Sequence, residues 1–273
     1  MIELGTIKEN LSQISALTEK NIKLRLRYKA GLIISFIFPI VTILTPLIVM
    51  GNLFQTRSNI GNWTEENFMI YQFIAYNIFL LRELTFLFPE EFLKEKYWKT
   101  LPALIIGPFN RFNLLISILS SHLVLVSIPF STFLVIGYLF YPIGISTLII
   151  IIFLYLAITL VFSGIGLMLG AFTISNENIW KILRFVMYFI FWFSCITYPY
   201  EIFPKIIQNV INLNPLYYLF DILRLSWIQN NIFLTLNLYP LHFILLLCLA
   251  IIFPLIGVYF FNIIYKKYGI TGY

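Results

Sequence analysis

Hydrophobic residues occur in long runs along this chain, and short polar stretches separate the runs. A helix that crosses a bilayer needs roughly 20 apolar residues, and six runs reach that length. They lie at about 30–50, 67–87, 112–140, 145–173, 182–200 and 240–264. The pattern therefore predicts an all-α membrane protein with six transmembrane helices.

The composition excludes a protein with water on all sides. Only 11 % of the residues are charged and 60 % are hydrophobic, whereas a soluble domain carries about a quarter charged residues. The net charge of +6 does not indicate a nucleic-acid partner, because the positions of the basic residues have another explanation.

The basic residues predict the orientation of the helices. If the amino terminus is cytoplasmic and six helices alternate, all but three of the 18 Lys and Arg residues fall on the cytoplasmic side. The exceptions are Arg57, Lys205 and Arg224. Because cytoplasmic loops are enriched in Lys and Arg, both termini are predicted to be cytoplasmic. The charged stretch 90–112 is then a cytoplasmic loop between helices 2 and 3.

Residues 1–29 are predicted to form an amphipathic helix at the cytoplasmic interface of the membrane. Apolar residues recur at helical spacing with charges between them, at Leu4, Ile7, Leu11, Ile14 and Leu17. This pattern is typical of a helix that lies in the interface plane. The alternative is an ordinary basic tail that only helps to fix the topology.

The segment 199–227 reads as two short helices before the last span. The first is indicated by apolar residues at helical spacing, which are Ile202, Ile206, Val210 and Leu213. Asn214 followed by Pro215 reads as the N-cap and first residue of the second. Asp221 and Arg224 are three residues apart there and can pair. Such helices enter the outer leaflet and return only where protein or a water-filled cavity covers their ends.

Small residues in helix 4 predict close helix packing. Gly166 and Gly170 form a small-xxx-small pair, which lets two backbones approach. A glycine hinge is the alternative. His122 and His242 stand alone in apolar helices without metal-ligand spacing, so we interpret both as hydrogen-bonded packing residues.

The sequence contains no pattern for chemistry of its own. It has no GxxxxGK[ST] phosphate loop, no HExxH or GxSxG motif and no Cys/His cluster. The predicted spans also contain almost no charged residues away from their ends, which a proton- or sodium-coupled carrier would usually need. We therefore expect no catalytic residues and no metal site, and a transport pathway that takes its energy from elsewhere.

Two stretches resemble permeases of type-2 ATP-binding-cassette (ABC) exporters. "EKYWKTLPALIIGPFNRF" is similar to the cytoplasmic segment between helices 2 and 3 of that family, with matches at Thr100, Leu101, Pro108 and Arg111. Lys99 and Pro102 depart from the family pattern, which has Gly and Glu there. "YPYEIFPKIIQNVINLNPLYYLFDILR" looks like the family signature before the last helix, with matches at Pro199, Pro204, Asn214, Pro215, Leu216, Asp221 and Arg224.

The resemblance implies a single transmembrane domain over 30–265, with a short cytoplasmic tail at 266–273. It further implies a permease that pairs with itself or with a paralogous chain and binds two copies of a separate ATPase subunit. ATP and Mg²⁺ would sit on that partner, and this chain would need no cofactor. A coupling helix that contacts the ATPase would contain Glu91, Lys94, Glu95, Tyr97, Trp98, Lys99, Thr100 and Leu101. The alternative for this loop is a solvated segment whose charges only fix the topology.

The outer helices would line the exit for cargo, in a region that contains Tyr198, Pro199, Pro204, Asn214, Pro215, Asp221 and Arg224. The resemblance implies export of an amphiphilic or hydrophobic substrate, either drug-like or a lipid-linked glycan, across a prokaryotic cell membrane. A secondary carrier or channel without ATP coupling is the alternative function, and a membrane-embedded enzyme would require a polar cluster that the spans lack.

Overall fold

The computed structural model describes residues 4–56, 59–98 and 110–268, and these residues form helices joined by short turns. Within the described residues, the only β pairing is a single bridge between Ile60 and Trp63. The helices are α1 (Leu4–Arg27), α2 (Lys29–Thr56), α3 (Phe68–Arg82), α4 (Leu84–Tyr97), α5 (Arg111–Phe140), α6 (Ile145–Ser175), α7 (Glu177–Trp192), α8 (Lys205–Asn212), α9 (Pro215–Gln229), α10 (Ile232–Leu238) and α11 (Pro240–Tyr268). The predicted all-α class is confirmed.

Four helices in the described ranges are long and apolar enough to cross a membrane. They are Lys29–Thr56, Phe112–Phe140, Ile145–Ser175 and Pro240–Ile264. The other two predicted spans differ from expectation. The run 67–87 is divided at Glu83 between α3 and α4, and the run 182–200 is helical only as far as Trp192. Length and composition therefore support four of the six predicted transmembrane helices.

The α7 helix ends early because the chain turns sharply after it. Cys195 has a φ of 55°, in the left-handed region that interrupts a helix. Tyr71 on α3 donates a hydrogen bond of 2.8 Å to the carbonyl of Tyr198, and Gln72 donates one of 3.0 Å to that of Thr197. Side chains of α3 thus satisfy carbonyls that a continued α7 would have used internally.

Helix α6 lies at the centre of the bundle and is the most deeply buried of the four long apolar helices. A Cβ on Gly166 would lie 2.4 Å from the carbonyl oxygen of Leu84 on α4. On its other side, a Cβ on Gly164 would lie 2.4 Å from the backbone of Phe253 on α11. Gly170 likewise faces the ring of Phe92 on α4. Glycine allows both neighbouring helices to approach α6 this closely.

Asparagine side chains begin several of the helices. The predicted start of α9 is confirmed, since the Asn214 side chain accepts a hydrogen bond of 3.1 Å from the Leu216 amide and Pro215 opens the helix. The α5, α7 and α10 helices begin in the same way at Asn110, Asn176 and Asn231. An Asn oxygen satisfies one of the amides that a helix start leaves without a partner.

Candidate functional sites at the two ends of the bundle

The bundle has two ends with different polar chemistry. We call the end where α4 finishes at Tyr97 the α4 end. We call the opposite end, where α3 begins and α8, α9 and α10 lie, the α9 end.

At the α4 end, ion pairs join α1 to α4. Arg25 Nη2 lies 3.1 Å from Glu91 Oε1, and Lys20 Nζ lies 3.3 Å from Glu95 Oε1. The residue numbers rise on α1 as they fall on α4, so the two helices run antiparallel along this contact. Glu91 and Glu95, predicted as part of a coupling helix, thus face α1 of the same chain.

Helix α5 completes a three-helix unit with α1 and α4. The second guanidinium nitrogen of Arg25 lies 2.9 Å from His122 Nδ1, which accepts because Arg has no acceptor. Nearer the start of α1, the Asn113 side chain donates hydrogen bonds of 2.7 Å to Asn10 and 2.8 Å to Gln13. His122 is thus a hydrogen-bonded packing residue, as predicted. These contacts join α1 to α4 and to α5.

Two aromatic residues at the last turn of α4 are exposed. Tyr97 is 85 % exposed and Trp98 is 47 % exposed, whereas Phe88 and Phe92 earlier on the same helix are buried. Large exposed aromatics beside one another mark protein contact sites. Lys99, Thr100, Leu101, Pro102 and Pro108 lie outside the described residues.

A carboxylate on α4 also meets α7. Glu90 Oε1 lies 3.8 Å from Arg184 Nη1 on α7. Burial raises the pKa of the Glu90 carboxyl, and the charge of Arg184 partly offsets that rise. The charge of Glu90 is therefore incompletely compensated by its surroundings.

A cavity of about 540 Å³ opens at the α4 end. One wall is α4 from Glu83 to Trp98, and the other is the junction of α1 and α2 from Asn21 to Ser35, with His122 of α5 between them. We call this cavity the α1–α4 slot. No pattern in the sequence predicted this cavity, although opposite charges near the ends of α1 and α4 could have suggested that these segments meet.

At the α9 end, Arg224 is buried without a carboxylate at ion-pair distance among the described residues. Its guanidinium carbon lies 3.7 Å from the centre of the Tyr71 ring, and Nη2 donates a hydrogen bond of 2.6 Å to the Ile196 carbonyl. The spacing on the helix allows Arg224 to pair with Asp221. This pair does not form at ion-pair distance among the described residues, and Asp221 instead lies 3.8 Å from His242. The guanidinium contacts the face of the Tyr71 ring and donates to the Ile196 carbonyl.

The other predicted residues of this end hold neighbouring segments together. The Asn214 side chain donates a hydrogen bond of 2.7 Å to the Ile190 carbonyl at the end of α7, and Pro204 immediately precedes α8. Tyr198 accepts from Tyr71 through its carbonyl, and Pro199 leads into a 3₁₀ turn at Tyr200–Ile202.

The α5–α6 turn is fastened to this end as well. Trp227 Nε1 donates a hydrogen bond of 3.1 Å to the Tyr141 carbonyl, and the Asn230 side chain accepts one of 2.6 Å from the Gly144 amide. The α9 end is thus interlocked, whereas the α4 end contains an open cavity.

The described residues offer no arrangement for a metal ion, since no group of three or more His, Cys, Asp and Glu side chains lies together there. Ion pairs, cation–π contacts and hydrogen bonds engage many of the polar residues at both ends, and buried atoms such as Gln72 Oε1 and Arg224 Nε have no hydrogen-bond partner among the described residues. The arrangement is that of a multi-pass helical membrane protein.

Comparison with known families agrees with this class. The family model of the ABC-2 type transporter matches residues 12–227, a range that holds α2 to α8 and most of α1 and α9. The chain belongs to the ABC-2 type transporter family, and the predicted resemblance is confirmed. It is therefore a membrane component of an ABC transporter, a class that normally works with an ABC ATPase. No curated protein matches the chain.

Proposed function

We propose that this chain is the permease subunit of an ATP-driven exporter in a prokaryotic cell membrane. Two copies of the chain, or one copy and a paralogue, bind two ATPase subunits at the α4 end, which faces the cytoplasm. The α9 end faces outward and opens to release an amphiphilic or hydrophobic cargo.

The observation that carries the proposal is the exposed pair Tyr97 and Trp98 at the end of a helix that is tightly fastened to its neighbours. Force applied there reaches α6 through the glycine contacts of α4, and it reaches α1 through the Arg25–Glu91 pair. A protein that binds the aromatic pair can therefore move several helices together.

The difference between the two ends supports alternating access. Hydrogen bonds such as that from Trp227 to the Tyr141 carbonyl hold the α9 end together, while the α1–α4 slot leaves room at the other end. Closure of the ATPase subunits would move α4 and release the contacts of Arg224 and Trp227. Exposed aromatics on α7, such as Phe189 and Trp192, suit a path for amphiphilic cargo at the interface of two copies.

The copurification of the ATPase subunit tests this function. We expect Trp98→Ala to reduce the recovered ATPase by about tenfold, because buried aromatic anchors dominate such interfaces. Phe233→Ala is the matched control, since Phe233 is an aromatic residue that is 75 % exposed on α10 at the other end of the bundle, and its ATPase recovery should stay at the wild-type level. Equal recovery with all three proteins would exclude Trp98 from the interface.

A secondary carrier or channel is the alternative. The two functions differ in their need for ATP, because a carrier continues to move its substrate when ATP is absent. Persistent transport in vesicles without ATP would favour the carrier and contradict the exporter.

A further inference from the structure

The α1–α4 slot has the size and lining of a ligand site. Its volume of about 540 Å³ lies within the range of roughly 300–1,000 Å³ that small-molecule sites occupy. Glu83, Leu87, Glu90, Lys94 and Trp98 lie three or four residues apart on α4 and line one wall. They form one face of the helix that extends roughly 22 Å, at a rise of 1.5 Å per residue.

The cations that line the slot are already engaged. Arg25 contacts both Glu91 and His122, and Lys94 lies 2.9 Å from Glu91. An anionic ligand would have to displace these contacts in order to bind Arg25 or Lys94. The existing pairs therefore disfavour a ligand whose polar group is a carboxylate or phosphate.

Two carboxylates that line the slot pair with arginines outside it. Glu83 meets Arg82 at 3.2 Å and Glu90 meets Arg184 at 3.8 Å, and neither of these arginines lines the slot. Both carboxylate side chains are more than two-fifths exposed, and Glu90 has the longer contact. The two residues lie two helical turns apart, roughly 10.5 Å along the helix axis, so Glu90 can contact a cationic group directly while Glu83 adds negative potential further along the same wall.

The remaining lining suits an apolar chain with a cationic end. Leu24, Leu87, Tyr28 and Trp98 line the slot, and aromatic faces attract cations as well as apolar groups. Gly31 leaves additional space in the slot, because a Cβ atom at this position would have no atom within 4 Å apart from those of its own stretch of helix.

We propose that the α1–α4 slot binds an amphiphile that carries a protonated amine, with the ammonium group at Glu90, the negative potential of Glu83 beside it, and the apolar chain against Leu24, Leu87 and Tyr28. That this ligand is cargo rests on the proposed function, whereas its binding to the slot does not.

Fluorescence anisotropy with the purified full-length chain tests this assignment. The chain is placed in phosphatidylcholine nanodiscs without ATPase and titrated with dodecane-1,12-diamine that carries dansyl on one nitrogen only, so that the other end of the chain keeps a protonated amine. The Glu83→Gln/Glu90→Gln double variant should bind at least about tenfold more weakly, since contacts with a charged group carry most of the specificity. A dansyl chain that ends in a carboxylate should bind the wild type more weakly by a similar factor.

Two further variants separate loss of binding from loss of fold. Gly31→Phe should fill the slot and abolish binding while it keeps a monodisperse elution profile. Glu65→Gln removes an exposed carboxylate at the α9 end and should bind the probe like the wild type. The assignment is overturned if the double variant retains wild-type affinity, or if the carboxylate probe binds as tightly as the amine.

The source of the ammonium group can be determined with the same probe. Nanodiscs that contain phosphatidylethanolamine lower the apparent affinity if a membrane aminolipid occupies the slot, and they leave it unchanged if a free amine does. Both results support an ammonium site. Copurification of the ATPase subunit from cells that express the same variants keeps the proposals separate, because a permease that binds ATPase but no amine contradicts only this inference.

Discussion

Gly166→Ala is expected to destabilise the protein by about 1–3 kcal/mol, which is the usual cost of overpacking a close contact. The added methyl group would lie 2.4 Å from the carbonyl oxygen of Leu84 and 3.2 Å from the Cα of Thr85. Both are backbone atoms of neighbouring segments, so no side-chain rotation relieves the contact. Helix α4 must then move away from α6, and this movement weakens the packing between the two helices.

The measurement for this variant is the temperature at which half of the detergent-solubilised protein leaves its monodisperse elution peak. Gly51→Ala is the matched control, because Gly51 is also within a long apolar helix and has open space around its Cβ direction. Alanine favours a helix over glycine by about 0.5–1 kcal/mol, so the control should hold or raise that temperature. Equal losses in both variants would contradict the close α4–α6 contact.

Arg224→Met is expected to cost about 2 kcal/mol or more, because it leaves a buried carbonyl without its donor and removes a cation from the Tyr71 ring. The Ile196 carbonyl accepts from Arg224 at 2.6 Å, and the turn that contains Cys195 depends on this contact. The variant should expose that turn, so we expect faster modification of Cys195, which is buried in the wild type.

The rate of maleimide labelling, measured in a background without Cys248, checks this prediction. Lys205→Met is the control, since it removes one positive charge from an exposed position at the same end. Arg224→Lys should behave like Arg224→Met. An ammonium group lacks the planar guanidinium, which stacks on the Tyr71 ring and donates to the Ile196 carbonyl at the same time. Unchanged labelling of Cys195 in Arg224→Met would show that Arg224 does not hold the turn.

Local patterns in the sequence predicted those features that depend on local physics. The four long apolar helices follow from hydrophobic length alone, since a bilayer sets that length. The start of α9 follows from Asn214 and Pro215, because their side chains suit the first turn of a helix whatever surrounds it.

Features that depend on distant partners could not be predicted in the same way. Asp221 and Arg224 have helical spacing for a pair, but Tyr71 and Ile196 compete for the arginine from more than 20 residues away. Likewise, the charges of α4 suggested a surface for another protein, yet Glu91 and Glu95 bind α1 of the same chain. Spacing indicates which contacts are possible, and packing selects among them.

The apolar run at 67–87 shows a related effect. Its hydrophobicity predicts one span, but the structure has two helices that meet at Glu83. The buried Arg82 side chain lies 4.7 Å from the Phe79 ring and 3.2 Å from Glu83, so polar contacts concentrate at this junction. Hydropathy averaged over a window does not detect such a local change.

Photocrosslinking from position 98 tests the central claim most directly. A benzophenone amino acid replaces Trp98 in one variant and Leu213, which is 84 % exposed at the α9 end, in another. Each variant is irradiated in cells together with the cognate ATPase subunit. We predict an adduct of permease and ATPase from position 98 and none from position 213. An adduct from position 213, or its absence at position 98 while the ATPase still copurifies, would contradict ATP coupling through the α4 end.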